Sequence, residues 1–196
     1  ILSEQDVAAL VDMPLAVEAV EESFARLAAG EAENVPRARS KAPGVVLHSM
    51  SAAAGYLGVV GWKNYTTTRA AARFLVGIHS ASTGELVALI EADRLGQYRT
   101  GAATGVALRH LTPGNTDRLA IFGSGRQAET QLLAACCVRP IRRALVYSRL
   151  AEHCAAFASR MCERISAELG QTVDVRPVAT PEEAVAEMPI VITATN

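Results

Sequence analysis

The sequence predicts an α/β protein: a parallel sheet, incomplete in this chain, preceded by a smaller α+β domain. Apolar strand-like runs alternate with helical segments from residue 118 to residue 194, which favours a parallel sheet. Residues 45 to 91 instead hold several strand-like runs in succession, typical of a mixed or antiparallel sheet. The Thr-Pro-Gly-Asn-Thr-Asp segment at 112–117 separates the two patterns. We therefore expect one domain at residues 1–112, completed by residues beyond this chain, and another at 113–196.

Composition excludes several classes of function. The 196 residues are half apolar with a net charge of −1, which argues against a nucleic-acid or membrane surface made by bulk charge. No apolar run reaches the roughly 20 residues needed to span a bilayer, and the first residues are too polar for a signal peptide. The four cysteines show neither zinc spacing nor an evident disulfide pair. We expect a cytoplasmic protein with reduced thiols, no metal, and no nucleic-acid or membrane partner.

The N-terminal half begins with helical signals and continues as strands. Ser3 opens a capping-box-like start, and a second amphipathic helix is expected to end near Gly30. Residues 31–43 are polar and read as a loop. Strands are expected at 45–50, at 56–63 and in a hairpin of 72–80 with 85–91, followed by a helix at 99–111. The loop carries a basic cluster of Arg37, Arg39 and Lys41.

The Gly-x-Gly-x-x-Ala turn from Gly123 to Ala128 is the strongest motif in the chain. A strand at 118–122 precedes it and a helix at 126–138 follows. Gly123 permits the tight turn, Gly125 lets the backbone approach a pyrophosphate, and Ala128 lets the helix pack close to the strand. The first N–H groups of the helix then face the phosphates. We interpret the motif as the dinucleotide fingerprint of a Rossmann-type sheet; the alternative is a glycine turn in another α/β unit.

The residues after the second strand of this pattern indicate which dinucleotide binds. The strand at 142–147 ends in Ser148 and Arg149, where an acidic residue would hydrogen-bond the ribose of NAD. A guanidinium suits the 2′-phosphate instead. We therefore favour NADP(H), with NAD(H) as the alternative. The simpler interpretation of Arg149 is a solvated residue in the first turn of the next helix.

The alternating pattern continues to the end of the chain. A helix at 151–169, a strand at 172–176, a short helix at 181–187 and a strand at 190–194 complete it. A whole dinucleotide-binding fold has a second half of similar construction. We expect the chain to be a piece of a longer protein.

Isolated cations in apolar or glycine-rich settings are the remaining candidates for chemistry. Lys63 ends a glycine-spaced apolar run, Arg99 opens an Ala- and Gly-rich helix, and Arg39 lies in the basic loop. Three cations from separate segments suit a carboxylate substrate, and a desolvated lysine can also act as an acid or base. The alternative is that all three are surface cations. His48 is expected to be a satisfied histidine without a function.

Several of these segments together carry a family resemblance. Gly61-Trp62-Lys63, the Thr-Gly-Glu-Leu-Val-Ala-Leu run at 83–89 and the Tyr-Arg-Thr-Gly-Ala block at 98–102 occur in order. They are followed by Ile-Phe-Gly-Ser-Gly-Arg-Gln-Ala at 121–128, Val-Tyr-Ser-Arg at 146–149 and Val-Ile-Thr-Ala-Thr at 191–195. In this order and spacing, the chain resembles the ornithine cyclodeaminase/mu-crystallin family over nearly its whole length.

The resemblance implies a homodimer with an N-terminal substrate and dimerisation domain and a Rossmann domain. It implies that Lys63 is catalytic and that Arg39, Lys63 and Arg99 hold a substrate carboxylate. The family's cyclodeaminases also use an aspartate beyond residue 196. The expected cofactor-binding residues are Thr100, Gly123, Ser124, Gly125, Arg126, Gln127, Ser148, Arg149, Thr193, Ala194 and Thr195.

The expected activity is that of an NAD(P)-dependent enzyme of small α-amino, imino or keto acids. Hydride transfer at the α-carbon would make it a cyclodeaminase, an alanine dehydrogenase or a ketimine reductase, so it would be either a lyase or an oxidoreductase. The alternative is a mu-crystallin-like protein that binds NADPH and a small ligand with little turnover.

Overall fold

The computed structural model describes residues 1–195 and divides into two compact units. The first unit comprises Ile1–Val11 and Glu21–Gly96, and the second comprises Asp12–Val20 and the chain from Gln97 onward. Helices α2 (Met13–Ala28) and α3 (Asp93–Leu111) contribute to both. The domain boundary after residue 112 stays a prediction. Across residues 1–195, no helix combines the length and the apolar character that a membrane crossing requires.

The first unit is built on an antiparallel sheet. Its main path runs β1-β3-β4-β5-β6, and β2 also pairs with β3. From β3 to β6, consecutive strands are neighbours, so each of these strands repeats the inward and outward alternation of the one before it. The strands are β1 (Ala32–Asn34), β2 (Ala38–Ala42), β3 (Val45–Ala54), β4 (Val59–Thr67), β5 (Ala72–Ser80) and β6 (Leu86–Glu91).

The interpretation of residues 31–43 as a loop is wrong. Ala32–Asn34 and Ala38–Ala42 both pair with β3, so Arg39 lies in a strand, directly opposite His48. All five residues of β2 are exposed, and an exposed edge strand has no need of the apolar alternation that reveals strands in a sequence. The strand predicted from residue 56 also starts later, at Val59, because Gly55–Leu57 form a 3-10 turn.

Helix α3 begins at Asp93, six residues before its predicted start at 99, and its first turn is capped from a distance. The carboxylate of Glu4, at the start of α1 (Glu4–Leu10), accepts hydrogen bonds from the backbone N–H groups of Asp93 (2.6 Å) and Arg94 (3.1 Å). The carboxylate of Glu91 accepts a hydrogen bond from the backbone N–H of Glu4 at 3.0 Å. The partner of the α3 N-terminus therefore comes from the other end of the first unit.

The second unit contains the parallel sheet, which confirms the predicted fold class. Strand order is β10-β7-β8-β9, and all pairs are parallel. The core of this unit consists of the buried side chains of β7 and of the helices that follow it. A parallel sheet of this kind is covered on both faces. Its elements are β7 (Arg118–Phe122), α4 (Arg126–Val138), β8 (Arg143–Tyr147), α5 (Ala151–Leu169), β9 (Asp174–Pro177), α6 (Pro181–Val185) and β10 (Val191–Thr193).

Within the second unit, α3 packs very closely against α4. A Cβ added at Gly101 would lie 2.4 Å from the carbonyl oxygen of Thr130, so only glycine fits there. The Thr130 hydroxyl donates to the carbonyl of Gln97 at 3.2 Å, and the Gln97 amide donates to the carbonyl of Arg126. These bonds connect α3 to the first turn of α4, immediately after the glycine motif.

Candidate functional site

The glycine motif forms the floor of an open cleft of about 960 Å³ in the second unit. Gly123 has φ 110°, a left-handed conformation that favours glycine, and a Cβ there would meet the carbonyl oxygen of Ala194 at 2.4 Å. The amide of Ala194 donates to Phe122 at 2.7 Å, which brings the chain after β10 directly over the turn. The fingerprint and the Thr-Ala-Thr segment are therefore neighbours, as expected from the parallel pairing of β10 with β7.

Gly125 supplies the space that a pyrophosphate needs. It is the N-cap residue of α4, with φ −91°, and nothing lies within 4 Å of the position a Cβ would take. No side chain among residues 1–195 caps this helix. The first amides of a helix without a side-chain cap suit a bound phosphate, since the helix dipole adds positive potential at the same point. The residues present thus fit a dinucleotide.

The far side of the cleft is where β8 ends. Ser148 and Arg149 both line it, and the Ser124 hydroxyl donates to the Ser148 hydroxyl at 3.1 Å. Among the described lining residues there is no aspartate or glutamate. Leu150 and His153, at the start of α5, line the cleft as well and were missed from the sequence. The only signal for His153 is its position four residues after Arg149.

Most of the predicted cofactor residues share this cleft. Thr193 ends β10 and Thr100 lies on α3, and neither is among the described lining residues. The cleft itself is lined by Gly123, Ser124, Gly125, Arg126, Gln127, Ser148, Arg149, Ala194 and Thr195, together with Phe122, Tyr147, Leu150 and His153.

A second candidate site lies on one face of the antiparallel sheet in the first unit. Lys63 pairs with Met50 on β3 and with Val76 on β5, so these three side chains share that face. They line a cavity of about 280 Å³ in which Lys63 is the one charged residue among the described lining residues. A Cβ added at Gly96 would lie 3.8 Å from the Lys63 Nζ, which places the first turn of α3 beside the ammonium group.

Aromatic rings adjoin Lys63 on the same face. The rings of His48 and Tyr65 are parallel, with centroids 4.2 Å apart, and Tyr65 stacks on Phe74 at 4.8 Å. The Lys63 ammonium lies 5.4 Å from the Tyr65 centroid and 5.3 Å from that of Phe74. The ring faces are electron-rich and attract cations, which favours this position for the ammonium.

Arg37 is a residue that the sequence did not single out for the site. Its guanidinium lies 5.6 Å from the centroid of the Tyr65 ring, the ring that Lys63 also contacts. Arg39 faces the same side from β2, because it is paired with His48. The structure thus brings Arg37, Arg39 and Lys63 to one face of the sheet, an arrangement that suits a carboxylate. Arg99 belongs to the second unit, and its role stays a prediction.

Comparison with known proteins agrees with this fold. A Bacillus cereus Δ1-pyrroline-2-carboxylate reductase is 37% identical over 122 residues, which is 62% of this chain and 36% of that protein. A Streptomyces rapamycinicus L-lysine cyclodeaminase is 33% identical over 198 residues, covering 95% of this chain and 55% of the relative. The chain therefore spans about a third to a half of these curated relatives.

Solved structures superpose on nearly all of the chain. Thermococcus litoralis Δ1-pyrroline-2-carboxylate reductase in complex with NADH and L-proline gives a TM-score of 0.88 at 28% identity, covering 99% of this chain and 61% of that one. An archaeal alanine dehydrogenase dimer with bound NAD gives 0.88 at 27% identity, covering 99% and 59%. The family model for the ornithine cyclodeaminase/mu-crystallin family matches residues 1–196 in full. The chain belongs to the ornithine cyclodeaminase/mu-crystallin family.

Proposed function

We propose that the protein is an NAD(P)-dependent enzyme acting on small α-amino or α-imino acids. The observation that carries the proposal is the grouping of Lys63, Arg37 and Arg39 on one sheet face beside a small apolar cavity. Cations beside apolar walls suit a compact molecule with a carboxylate and a short aliphatic part. The glycine-motif cleft would hold the nicotinamide cofactor, which exchanges a hydride with the α-carbon of the substrate.

Each residue has a distinct proposed role. Arg39 and Arg99 bind the carboxylate as bidentate donors, and Arg37 adds a further donor. Lys63 acts as a point charge on the same carboxylate and as the catalytic residue that handles a proton at the substrate nitrogen. Aromatic contacts and the first turn of α3 hold its ammonium in place.

Reduction of a cyclic imino acid is the reaction we favour. The relatives from Bacillus cereus and Thermococcus litoralis are both Δ1-pyrroline-2-carboxylate reductases, and the second is bound to NADH and L-proline. Consumption of NAD(P)H with Δ1-pyrroline-2-carboxylate, without ammonia release, is expected. Ammonia release from L-lysine or L-ornithine with no net change in the cofactor would indicate a cyclodeaminase instead. Tight NADPH binding with neither activity would support the mu-crystallin-like alternative.

The test of the substrate site is Lys63→Met in the whole protein. The substitution keeps the aliphatic stem and removes the charge, so we expect kcat/KM to fall by at least about a hundredfold. The affinity for NAD(P)H should stay near that of the wild type. Arg73→Met is the matched control, since Arg73 is an exposed cation on the opposite face of the same sheet. A wild-type kcat/KM in Lys63→Met would show that Lys63 does not act in the substrate site. It would also take away most of the support for this substrate class.

We further propose that the cofactor is NADP(H) in preference to NAD(H). Ser148 and Arg149 line the cleft, and no carboxylate stands among its described lining residues. Arg149→Ala should weaken NADPH by about 1.5–3 kcal/mol, the scale of a hydrogen bond to a charged group, and leave NADH nearly unchanged. Fluorescence titration with both reduced cofactors tests this. Equal or tighter NADH binding by the wild type would contradict it, and the neighbours with bound NADH or NAD make that comparison necessary.

A homodimer is proposed as the working form. The sheet face opposite Lys63 exposes Leu47, Val60 and Leu75 at 40%, 40% and 41% of their full surface. An apolar patch of this kind is usually covered by a partner, and a dimer is the state of the archaeal neighbour. Val60→Asp should lower the mass measured by light scattering to that of a monomer. Retention of the dimer in this variant would place the interface elsewhere.

A further inference from the structure

His48 is a buried histidine on the face that carries Lys63. It is only 9% exposed, and its ring is parallel to that of Tyr65. Its Nε2 lies 3.0 Å from the hydroxyl of Thr67. Its Nδ1 is buried and has no hydrogen-bond partner among the described residues. A buried ring nitrogen without a partner is uncommon in folded proteins, and such an atom calls for a functional explanation.

Cations lie beside this imidazole on β2 and over the adjoining Tyr65 ring. Arg39 is paired directly with it on β2, Lys41 follows two residues later, and Arg37 lies over the adjoining Tyr65 ring. From β4 come Lys63 and Tyr65 itself; β5 contributes Phe74 and no charged group on this face.

The surroundings of His48 favour the neutral form of its ring at neutral pH. Burial, followed by the positive charges of Arg39 and Arg37, lowers the pKa of His48 below its ordinary value. An anion bound to those two guanidinium groups would offset their field. The two guanidinium groups would then oppose the imidazolium less, while burial would still disfavour it, so the pKa of His48 should rise when an acid binds.

We propose that His48 takes up a proton when a carboxylic acid binds to Arg37, Arg39 and Lys63, which makes acid binding proton-linked. The proton comes from solvent and is held at Nδ1, while Nε2 keeps its hydrogen bond to Thr67. This rests on the proposed function, in which the ligand is a small carboxylic acid. By linkage, the acid binds more tightly as the pH falls, and uptake of half a proton corresponds to about a threefold change in Kd per pH unit.

L-proline in the presence of saturating NADH is the probe. Both molecules are reduced, so no turnover occurs, and L-proline does not change its own ionisation between about pH 6 and 8. Calorimetric titration in buffers of different ionisation enthalpy measures the protons taken up. We expect net uptake by the wild type near pH 6.5 and a Kd that rises with pH. In His48→Phe, which keeps a ring against Tyr65 but cannot titrate, uptake and the pH dependence of Kd should vanish.

His79→Gln is the matched control, because His79 lies on the opposite face of the same sheet and should leave uptake unchanged. Should His48→Phe fail to fold, NMR titration of the histidine rings in the wild type serves instead: the His48 midpoint should move to higher pH when L-proline is added. Binding without uptake, an unmoved midpoint, or uptake that persists in His48→Phe overturns the inference and leaves the proposed function intact. If none of L-proline, L-alanine and L-ornithine binds, the inference and the proposed function are both overturned.

Discussion

Gly125→Ala separates nucleotide binding from stability. Nothing lies within 4 Å of the added methyl group, and φ −91° is allowed for any residue. Alanine is a poorer N-cap than glycine, but it also lowers the entropy of the unfolded chain. These effects oppose one another, so the free energy of unfolding should change by less than about 1 kcal/mol.

The same methyl group lies where a pyrophosphate must approach the first amides of α4. Moving the phosphate away would weaken one or two charge-assisted hydrogen bonds, each worth about 1.5–3 kcal/mol. We therefore expect the affinity for NAD(P)H to fall at least about tenfold, since 1.4 kcal/mol is a factor of ten. Thermal melting and fluorescence titration on the same preparation measure both quantities.

Gly123→Ala is the contrasting variant. Its Cβ would meet the Ala194 carbonyl oxygen at 2.4 Å, and its φ is 110°. We expect a stability loss of about 1–3 kcal/mol even without cofactor. Wild-type cofactor affinity in Gly125→Ala, or a loss of stability equal to that of Gly123→Ala, would refute the assignment of Gly125 to the phosphate.

Three further predictions concern the second unit. Gly101→Ala should destabilise by about 1–3 kcal/mol because its Cβ meets a carbonyl of α4, whereas Gly114→Ala, with open space around it, should melt near the wild type. Tyr98→Phe removes a hydroxyl that accepts from Arg164 at 2.8 Å, so chemical denaturation should show a loss of about 1–3 kcal/mol. Cys136 should resist thiol reagents at pH 8 until the protein is unfolded, because burial raises the pKa of its thiol to about 12; rapid labelling of the folded protein would contradict this.

The second unit could be predicted from sequence because its signals are local. A strand, a Gly-x-Gly turn and a helix follow each other within Arg118 to Val138, and the parallel sheet has the apolar runs of a buried structure. Short segments such as Gly61-Trp62-Lys63 were enough to predict the family from its resemblance. The fold of this unit and the family were both predicted from patterns formed by residues close together in the sequence.

The proposed carboxylate site could be predicted only in part, because it depends on pairing between residues that are far apart in the sequence. β2 is polar and exposed, so nothing in its composition shows that Arg39 faces His48. Arg37 reaches the site through the Tyr65 ring, a contact between residues 28 positions apart in the sequence. The partner of His48 Nε2 and the lack of one at Nδ1 follow from the β3–β4 register. No local pattern encodes these contacts.

The capping of α3 by Glu4 has a consequence for the order in which the chain folds. Leu2 bridges Ile90, and Glu4 bonds to Asp93 and Arg94, so this segment is held in place by residues that leave the ribosome 88 to 90 positions after it. Until then, the N-terminal segment has no strand to join and the start of α3 has no acceptor. We expect this segment to remain open to proteases on nascent chains that end before about residue 95.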